Sequence, residues 1–189
     1  MDWVELLPDP DVTYDIDEEI DLSELEPLIA KPSSPGNVAP VREVAGADIY
    51  QAVLGSSANP GLRDFGIVAK IVEGKQTHPR VSFDVNPTSR QTLEALISMG
   101  LLAPLIRSGA RLHQSGCMGC IGMGQAPATG QISLRTMPRN FPGRSGVQDD
   151  LVYPVLPRDG GRVGAHRKDH RSSRPRRHLW HDLPGLRVT

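Results

Sequence analysis

Cysteines and aromatic residues are scarce in this 189-residue sequence. It contains two cysteines, which exclude a disulfide framework. Aromatic residues make up 4% of it, while 19 glycines and 17 prolines indicate a loop-rich protein rather than a helical bundle. The length suffices for one ordinary domain with extensions and a buried core.

Hydrophobic runs of membrane-spanning length are also missing, and no basic residue precedes Lys31. The first 26 residues are instead acidic, which does not fit a signal peptide. We therefore expect a reducing, cytoplasmic compartment, where two nearby cysteines more often form a metal or redox site than a disulfide. Residues 1–39 are interpreted as an acidic, extended lead segment with a solvated surface.

Charge is unevenly distributed along the chain. Residues 1–153 carry 12 Lys and Arg against 19 Asp and Glu, whereas residues 154–189 carry 9 against 3. A basic arm for nucleic acid would predict salt-dependent binding that is lost when residues 154–189 are deleted. The tail has no apolar period, so we expect it to be disordered and a nucleic-acid partner to be unlikely.

Strand and helix patterns alternate three times in the middle of the chain. The predicted elements are strand 49–54, a helix with Phe65, Val68, Ala69 and Val72 on one face, strand 81–85, a helix marked by Leu93, Leu96 and Ile97, a short helix over 101–107, and strand 110–113. This alternation predicts an α/β domain with a largely parallel sheet over residues 40–153. Ligands of such sheets bind beyond the carboxyl ends of the strands, where loops 55–61 and 116–124 are expected.

The sharpest chemical signal is the C-x-x-C sequence formed by Cys117 and Cys120. Thiolates of this kind serve redox dithiols and iron–sulfur clusters. A structural zinc site would need two further ligands at recognisable spacing, and His78 and His113 do not form such a pair. We interpret both histidines as structural. From spacing alone, the cluster, redox and inert interpretations stay open.

Two arginines, Arg139 and Arg144, flank the turn-forming sequence Asn-Phe-Pro-Gly. Paired guanidinium groups can bind a carboxylate through bidentate hydrogen bonds, although surface residues of a turn would look the same. Loop 55–61 is similar to an anion site at a helix start, but it lacks the spacing of a nucleotide-binding motif.

Taken together, these residues resemble the third domain of the aconitase and isopropylmalate dehydratase family. The resemblance runs from about residue 22 to residue 153 and rests on three ordered motifs. Residues 116–122, GCMGCIG, resemble the family's cluster loop, and residues 139–144, RNFPGR, resemble its substrate loop. Residues 55–59, GSSAN, resemble its G-S-C-T-N loop. The sequences of residues 113–116 and 124–130 most resemble those of a bacterial aconitate hydratase branch.

The resemblance implies a three-layer α/β/α domain and a [4Fe-4S] cluster that is held by three cysteines, with one iron open to substrate as a Lewis acid. Cys117 and Cys120 would be two of the metal ligands, and Ser57 occupies the position of the family's remaining cysteine. Arg139 and Arg144 would bind the carboxylates of a di- or tricarboxylic acid. The family's catalytic serine lies on a separate domain to which no segment here corresponds, so no catalytic residue is assigned.

The function implied by the resemblance is that of an aconitate hydratase, the tricarboxylic acid cycle hydro-lyase that interconverts citrate and isocitrate through cis-aconitate. This chain lacks the remaining aconitase domains, so we expect it to be inactive alone. One alternative is the large subunit of an isopropylmalate or homoaconitate type dehydratase, since the arginine loop specifies only carboxylates. Another is a non-catalytic remnant that binds a cluster or RNA.

The resemblance stops after Tyr153. In the family, a different stretch of residues would follow this position. The degenerate codons of positions 154–172 can encode that stretch when they are read one nucleotide out of frame. We therefore hypothesise that a one-base insertion near codon 154 produced residues 154–189. Sequencing the gene across codon 154 tests this hypothesis, which is refuted if no family continuation lies one base away.

Overall fold

A short antiparallel hairpin precedes the main sheet in the computed structural model, which describes residues 4–157. Its strands are β1 (Leu28–Ala30) and β2 (Val38–Pro40), and a one-turn helix, α1 (Val41–Val44), follows directly. Ile29 and Ala39 pair across the hairpin and are buried, whereas residues 4–28 are exposed. The sequence pattern predicted no strand here, because three-residue strands are too short to display a period. The boundary between a lead segment and a domain at residue 40 stays a prediction.

Five parallel strands form the main sheet, as the α/β pattern predicted. They are β3 (Ile49–Gly55), β4 (Ser82–Asn86), β5 (Arg111–Leu112), β6 (Ile132–Arg135) and β7 (Leu151–Pro154). Their order is β5-β4-β3-β6-β7, so the chain moves from β3 to one edge and then returns to the other side of β3. The sequence pattern predicted β3, β4 and β5 but neither β6 nor β7.

Three helices cover one face of this sheet with an apolar core. They are α2 (Leu62–Val72), α3 (Arg90–Ser98) and α4 (Leu102–Arg107). The core unites the predicted face of α2 with alternate residues of β3 and β4 and with one residue from each later helix: Phe65, Val68, Ala69, Val72, Ala52, Leu54, Phe83, Val85, Leu96 and Leu105. Burying one large side chain of this kind contributes about 1.5–3 kcal/mol. Ile97, which the pattern placed among the apolar marks of α3, is 59% exposed.

Local signals explain where these helices begin. The Asp64 carboxylate accepts a hydrogen bond from the Gly61 N–H at 3.1 Å, which satisfies a donor at the start of α2. The hydroxyl of Ser89 accepts from the Thr92 N–H at 3.1 Å and so caps the start of α3. Pro104 lies in the first turn of α4, where a missing N–H costs little.

The opposite face of the sheet buries polar side chains. Gln51, Asp84, Asn86, Ser133 and Arg135 all have 0% exposure. Since buried polar groups need partners, this face binds segment 113–131, which includes a one-turn 3-10 helix at Gly119–Ile121. Helices, sheet and this segment make three layers.

None of the helices in residues 4–157 is long and apolar enough to cross a membrane. Residues 158–189, to which most of the basic-tail and reading-frame predictions apply, lie outside the described residues.

Candidate functional site

Three loops meet where the strand order reverses, at the carboxyl ends of β3 and β6. This is the position at which open α/β sheets bind ligands. The loop after β3 is tied to the loop after β6 by the Asn59 side chain, which donates to the Thr136 carbonyl at 2.7 Å. The C-x-x-C segment joins them through Arg144, whose Nη1 donates to the Cys120 carbonyl at 2.9 Å.

Both cysteine side chains point to one spot, and their Sγ atoms are 3.1 Å apart. Cys120 lies in the 3-10 turn and Cys117 lies two residues before its first residue; the Cys120 thiol also donates to the Cys117 carbonyl at 3.3 Å, which holds the two residues together. Both thiols are free; Cys117 is exposed, whereas Cys120 is buried. The pair therefore presents one accessible and one shielded sulfur.

The two thiols have different acidities. A hydrogen bond from Ser57 is the main reason why the pKa of Cys117 is lowered, and Cys120 and the charge of Arg144 act in the same direction. Burial is the main reason why the pKa of Cys120 is raised, and the hydrogen bond with Cys117 adds to this. The structure thus brings Ser57, Cys117, Cys120 and Arg144 together.

The two predicted substrate arginines have different surroundings. Arg144 is half-buried against Cys120, as described above. Arg139 is exposed, and no hydrogen bond or ion pair ties it to the rest of residues 4–157. Between them, Asn140 is 1% exposed, and its Nδ2 donates to the carbonyls of Lys31 at 2.8 Å and Val152 at 3.3 Å. That anchor holds the loop on the hairpin and the sheet.

Gly122 allows the C-x-x-C segment to approach the arginine loop. Its φ of 84° is in the left-handed region, and a Cβ there would lie 2.2 Å from the Ser145 carbonyl oxygen. No L side chain fits this contact, so glycine is required.

The two histidines occupy other places. His113 Nε2 lies 2.9 Å from Oδ1 of the buried Asp84, and Nδ1 of His78 accepts from the Arg80 N–H at 3.2 Å. Neither contacts the thiols. Among residues 4–157, no group of three His, Cys, Asp or Glu side chains could hold a metal ion.

Sequence reasoning missed two buried polar residues beside the thiols, Asn86 and Arg135. Asn86 follows the predicted strand 81–85 directly, and nothing in its sequence neighbourhood indicated a site. Arg135 and Ser133 are polar residues at alternate positions of β6, a pattern that can indicate a buried polar face, but the strand is too short for a reliable period.

Comparison with known proteins agrees with the motifs. Residues 1–155 match the sequence model of the aconitase family (aconitate hydratase). Large subunit 1 of 3-isopropylmalate dehydratase from Methanopyrus kandleri is 40% identical over 152 residues, which cover 79% of this chain and 36% of that protein. The homoaconitase large subunit of Thermus thermophilus is 37% identical over 159 residues, which cover 83% of this chain and 37% of that protein.

A third relative, the 3-isopropylmalate dehydratase large subunit of Sulfurihydrogenibium sp., is 41% identical over 151 residues, which cover 79% of this chain and 35% of that protein. The chain thus spans about a third of the length of the curated relatives it matches.

Proposed function

The chain belongs to the aconitase family, and we propose that it is the part of an iron–sulfur hydro-lyase that carries cluster ligands and a carboxylate-binding loop. The observation that carries this proposal is the meeting of Cys117, Cys120, Ser57 and Arg144 at the sheet's switch point. Soft sulfur donors beside guanidinium groups match the two halves of such a site.

The donor set fits a [4Fe-4S] cluster with two thiolates and one hydroxyl. Cys117 and Cys120 would hold the group, and the hydroxyl of Ser57 would be the third donor. When bound, the cluster supplies a Lewis-acidic iron to the hydroxyl and carboxylate of a substrate. The lowered pKa of Cys117 favours the thiolate that metal binding requires.

Arg139 and Arg144 would orient the substrate. A guanidinium group stays charged at neutral pH and binds a carboxylate through two parallel hydrogen bonds. Arg139 is exposed and can turn toward a ligand, whereas Arg144 is held against the cysteine segment and has less freedom. Together they would fix the carboxylates of a di- or tricarboxylic acid relative to the thiols.

For the substrate, we propose a 3-isopropylmalate or homoaconitate type acid. The relatives described above are 3-isopropylmalate dehydratase and homoaconitase large subunits, and they support this choice better than the citrate and isocitrate expected from the motif wording. The arginine loop accounts for the carboxylates, and contacts outside this chain would select the rest of the substrate.

Catalysis would need the remaining domains of the family, since the chain spans about a third of its relatives. Those domains would supply the proton-transferring groups and are the proposed partners of this chain. A reducing, cytoplasmic location suits two free thiols at 3.1 Å, which would oxidise elsewhere.

The cluster proposal is tested by anaerobic reconstitution of the full chain with iron and sulfide, followed by visible absorbance and iron content. We expect cluster absorbance in the natural chain and none in Cys117→Ala or Cys120→Ala. Absence of a cluster in a chain that circular dichroism reports as folded would contradict the proposal.

The activity proposal needs the other domains. Residues 4–153 can replace the corresponding third of the Methanopyrus kandleri large subunit 1, and the chimera can be assayed by the ultraviolet absorbance of the unsaturated acid. We expect turnover of 3-isopropylmalate to exceed that of citrate. A preference for citrate would restore the aconitate hydratase interpretation.

A further inference from the structure

We propose that Asn86 and Arg135 are positioning residues that hold the cysteine pair through Gly119, the residue between the two thiols. Asn86 ends β4 and Arg135 ends β6, the strands on either side of β3. The inference deepens the proposed function and rests on it only for the identity of the bound group.

Asn86 holds the amino-terminal side of the pair. Its Oδ1 accepts from the Gly119 N–H at 3.2 Å, and its Nδ2 donates to the Gln114 carbonyl at 2.7 Å. These two bonds lie on either side of Cys117 in the sequence. One buried amide therefore fixes the chain before and after the exposed thiol.

Arg135 holds the carboxyl-terminal side. Its Nη1 donates to the Gly119 carbonyl at 3.1 Å, and its Nη2 donates to the Gln125 carbonyl at 3.0 Å. These two carbonyls lie on either side of Cys120. Both the N–H and the C=O of Gly119 are thus bound by side chains of the sheet.

The guanidinium group of Arg135 is itself held in place. Nη2 also donates to Gln51 Oε1 at 2.8 Å, and Nε donates to the Ser133 hydroxyl at 2.9 Å. All four acceptors are neutral oxygens, so the hydrogen bonds orient the group without cancelling its charge. A rigid donor fork of this kind fixes the loop carbonyls more strictly than a flexible ammonium would.

Charge also favours this arrangement. Burial lowers the pKa of Arg135 to about 10, while interactions with Asp150, Asp84 and Cys120 act to raise it. The guanidinium group is therefore positive at neutral pH. Burying an unpaired charge is costly. A buried cation below the loop would stabilise thiolates when they ionise to bind a metal.

Gly119 makes the close contact possible. A Cβ at this position would lie 2.7 Å from Asn86 Oδ1, closer than a side chain tolerates. The small residue at position 119 and the polar side chains at positions 86 and 135 thus act together to position the cysteine loop. The consequence is that the sulfur positions are set before any metal arrives, which lowers the cost of ordering the loop on binding.

The test uses Cd²⁺ alone as a probe of the reduced full chain under anaerobic conditions, with cadmium–thiolate absorbance as the readout. Arg135→Met keeps the approximate length of the side chain but has no hydrogen-bond donors. Asn86→Ala removes the hydrogen bonds to both Gly119 and Gln114. Each should weaken Cd²⁺ binding by roughly 10- to 100-fold, the range typical of residues that orient metal ligands. Arg135→Lys should recover part of the loss, because an ammonium can still donate to the loop carbonyls.

Leu105→Ala is the matched control, since Leu105 is fully buried on the helical face and does not contact the cysteine segment. It should lower the urea midpoint and leave Cd²⁺ affinity unchanged. Asn86→Asp, which keeps the acceptor for Gly119 N–H, provides a second milder variant if Arg135→Met does not fold. The Asn86→Asp variant should bind Cd²⁺ more tightly than the Asn86→Ala variant does.

The proposal is overturned if Asn86→Ala, or a folded Arg135→Met, binds Cd²⁺ as the natural chain does. It is equally overturned if Leu105→Ala weakens binding as much, because the effect would then be one of general stability. Cd²⁺ needs only the two thiols as ligands. If iron–sulfide reconstitution fails while the variants show the predicted order of Cd²⁺ affinities, the proposed function is contradicted and this inference stands.

Discussion

Arg144 contacts Cys120 through both terminal nitrogens of its guanidinium group. Nη1 donates to the Cys120 carbonyl at 2.9 Å, and Nη2 lies 3.5 Å from its Sγ. The loop predicted to bind substrate therefore also supports the segment predicted to bind the cluster. Arg139 lacks such contacts among the described residues, so the two arginines should respond differently to substitution.

Arg139→Ala should weaken substrate binding in the chimeric enzyme and leave cluster absorbance unchanged. Losing a charge-assisted hydrogen bond costs about 1.5–3 kcal/mol, which corresponds to roughly a 10- to 100-fold rise in KM. Arg144→Lys should weaken both substrate binding and cluster retention, because an ammonium lacks the planar fork. Unchanged substrate affinity in both variants would show that the loop does not bind carboxylates.

Alkylation of the cluster-free chain should distinguish the two cysteines. Iodoacetamide should label Cys117 first, with a pH midpoint below that of an ordinary cysteine, because a lowered pKa keeps the thiolate present at lower pH. Ser57→Ala should move that midpoint upward, since the Ser57 hydrogen bond is the main cause of the shift. Mass spectrometry of the labelled peptide gives the site, and faster labelling of Cys120 would be the contrary result.

Ser57→Cys should increase iron retention after reconstitution, because it places a third thiol beside Cys117. Ser56→Cys is the matched control: Ser56 is 1% exposed and its hydroxyl bonds within its own loop, to the Asn59 carbonyl at 3.4 Å. Iron per chain should rise in the first variant and not in the second. Equal iron content in both would mean that position 57 does not face the bound group.

Gly122→Ala should destabilise the chain more than Gly130→Ala. Both glycines have positive φ, but a Cβ at 130 meets nothing within 4 Å, whereas a Cβ at 122 would lie 2.2 Å from the Ser145 oxygen. The shared backbone strain costs about 1–2 kcal/mol, and the overpacking at 122 adds about 1–3 kcal/mol. Urea unfolding measures the difference, and equal midpoints would argue against the close contact of the two loops.

Asp150→Asn should raise the free energy of unfolding at pH 7. Burial raises the pKa of Asp150, and its Oδ1 has no partner in the described part of the chain. The folded state therefore binds the proton more tightly than the unfolded chain, and this contribution is lost as pH rises from about 4 through the raised pKa. The advantage of the neutral amide should shrink toward pH 4. Urea midpoints at both pH values test this, and a less stable variant at pH 7 would contradict it.

The central helix and its flanking strands were predictable because their signals are local. The face formed by Phe65, Val68, Ala69 and Val72 repeats at helical spacing, and all four residues are buried as predicted. Strands β6 and β7 escaped prediction because each has only four residues, and β6 also carries the polar side chains Ser133 and Arg135. Their burial depends on bonds to distant residues.

The sequence by itself determined the family, through the ordered motifs around Ser57, Cys117 and Arg139, and it determined the parallel α/β class. Only the tertiary structure decided that Arg144 supports Cys120 and that Asn86 and Arg135 hold Gly119 from two strands. It also decided that the two cysteines differ in acidity. The reason is physical: periodicity and spacing report neighbours along the chain, whereas burial and hydrogen bonding between residues far apart in the sequence exist only after the sheet has formed.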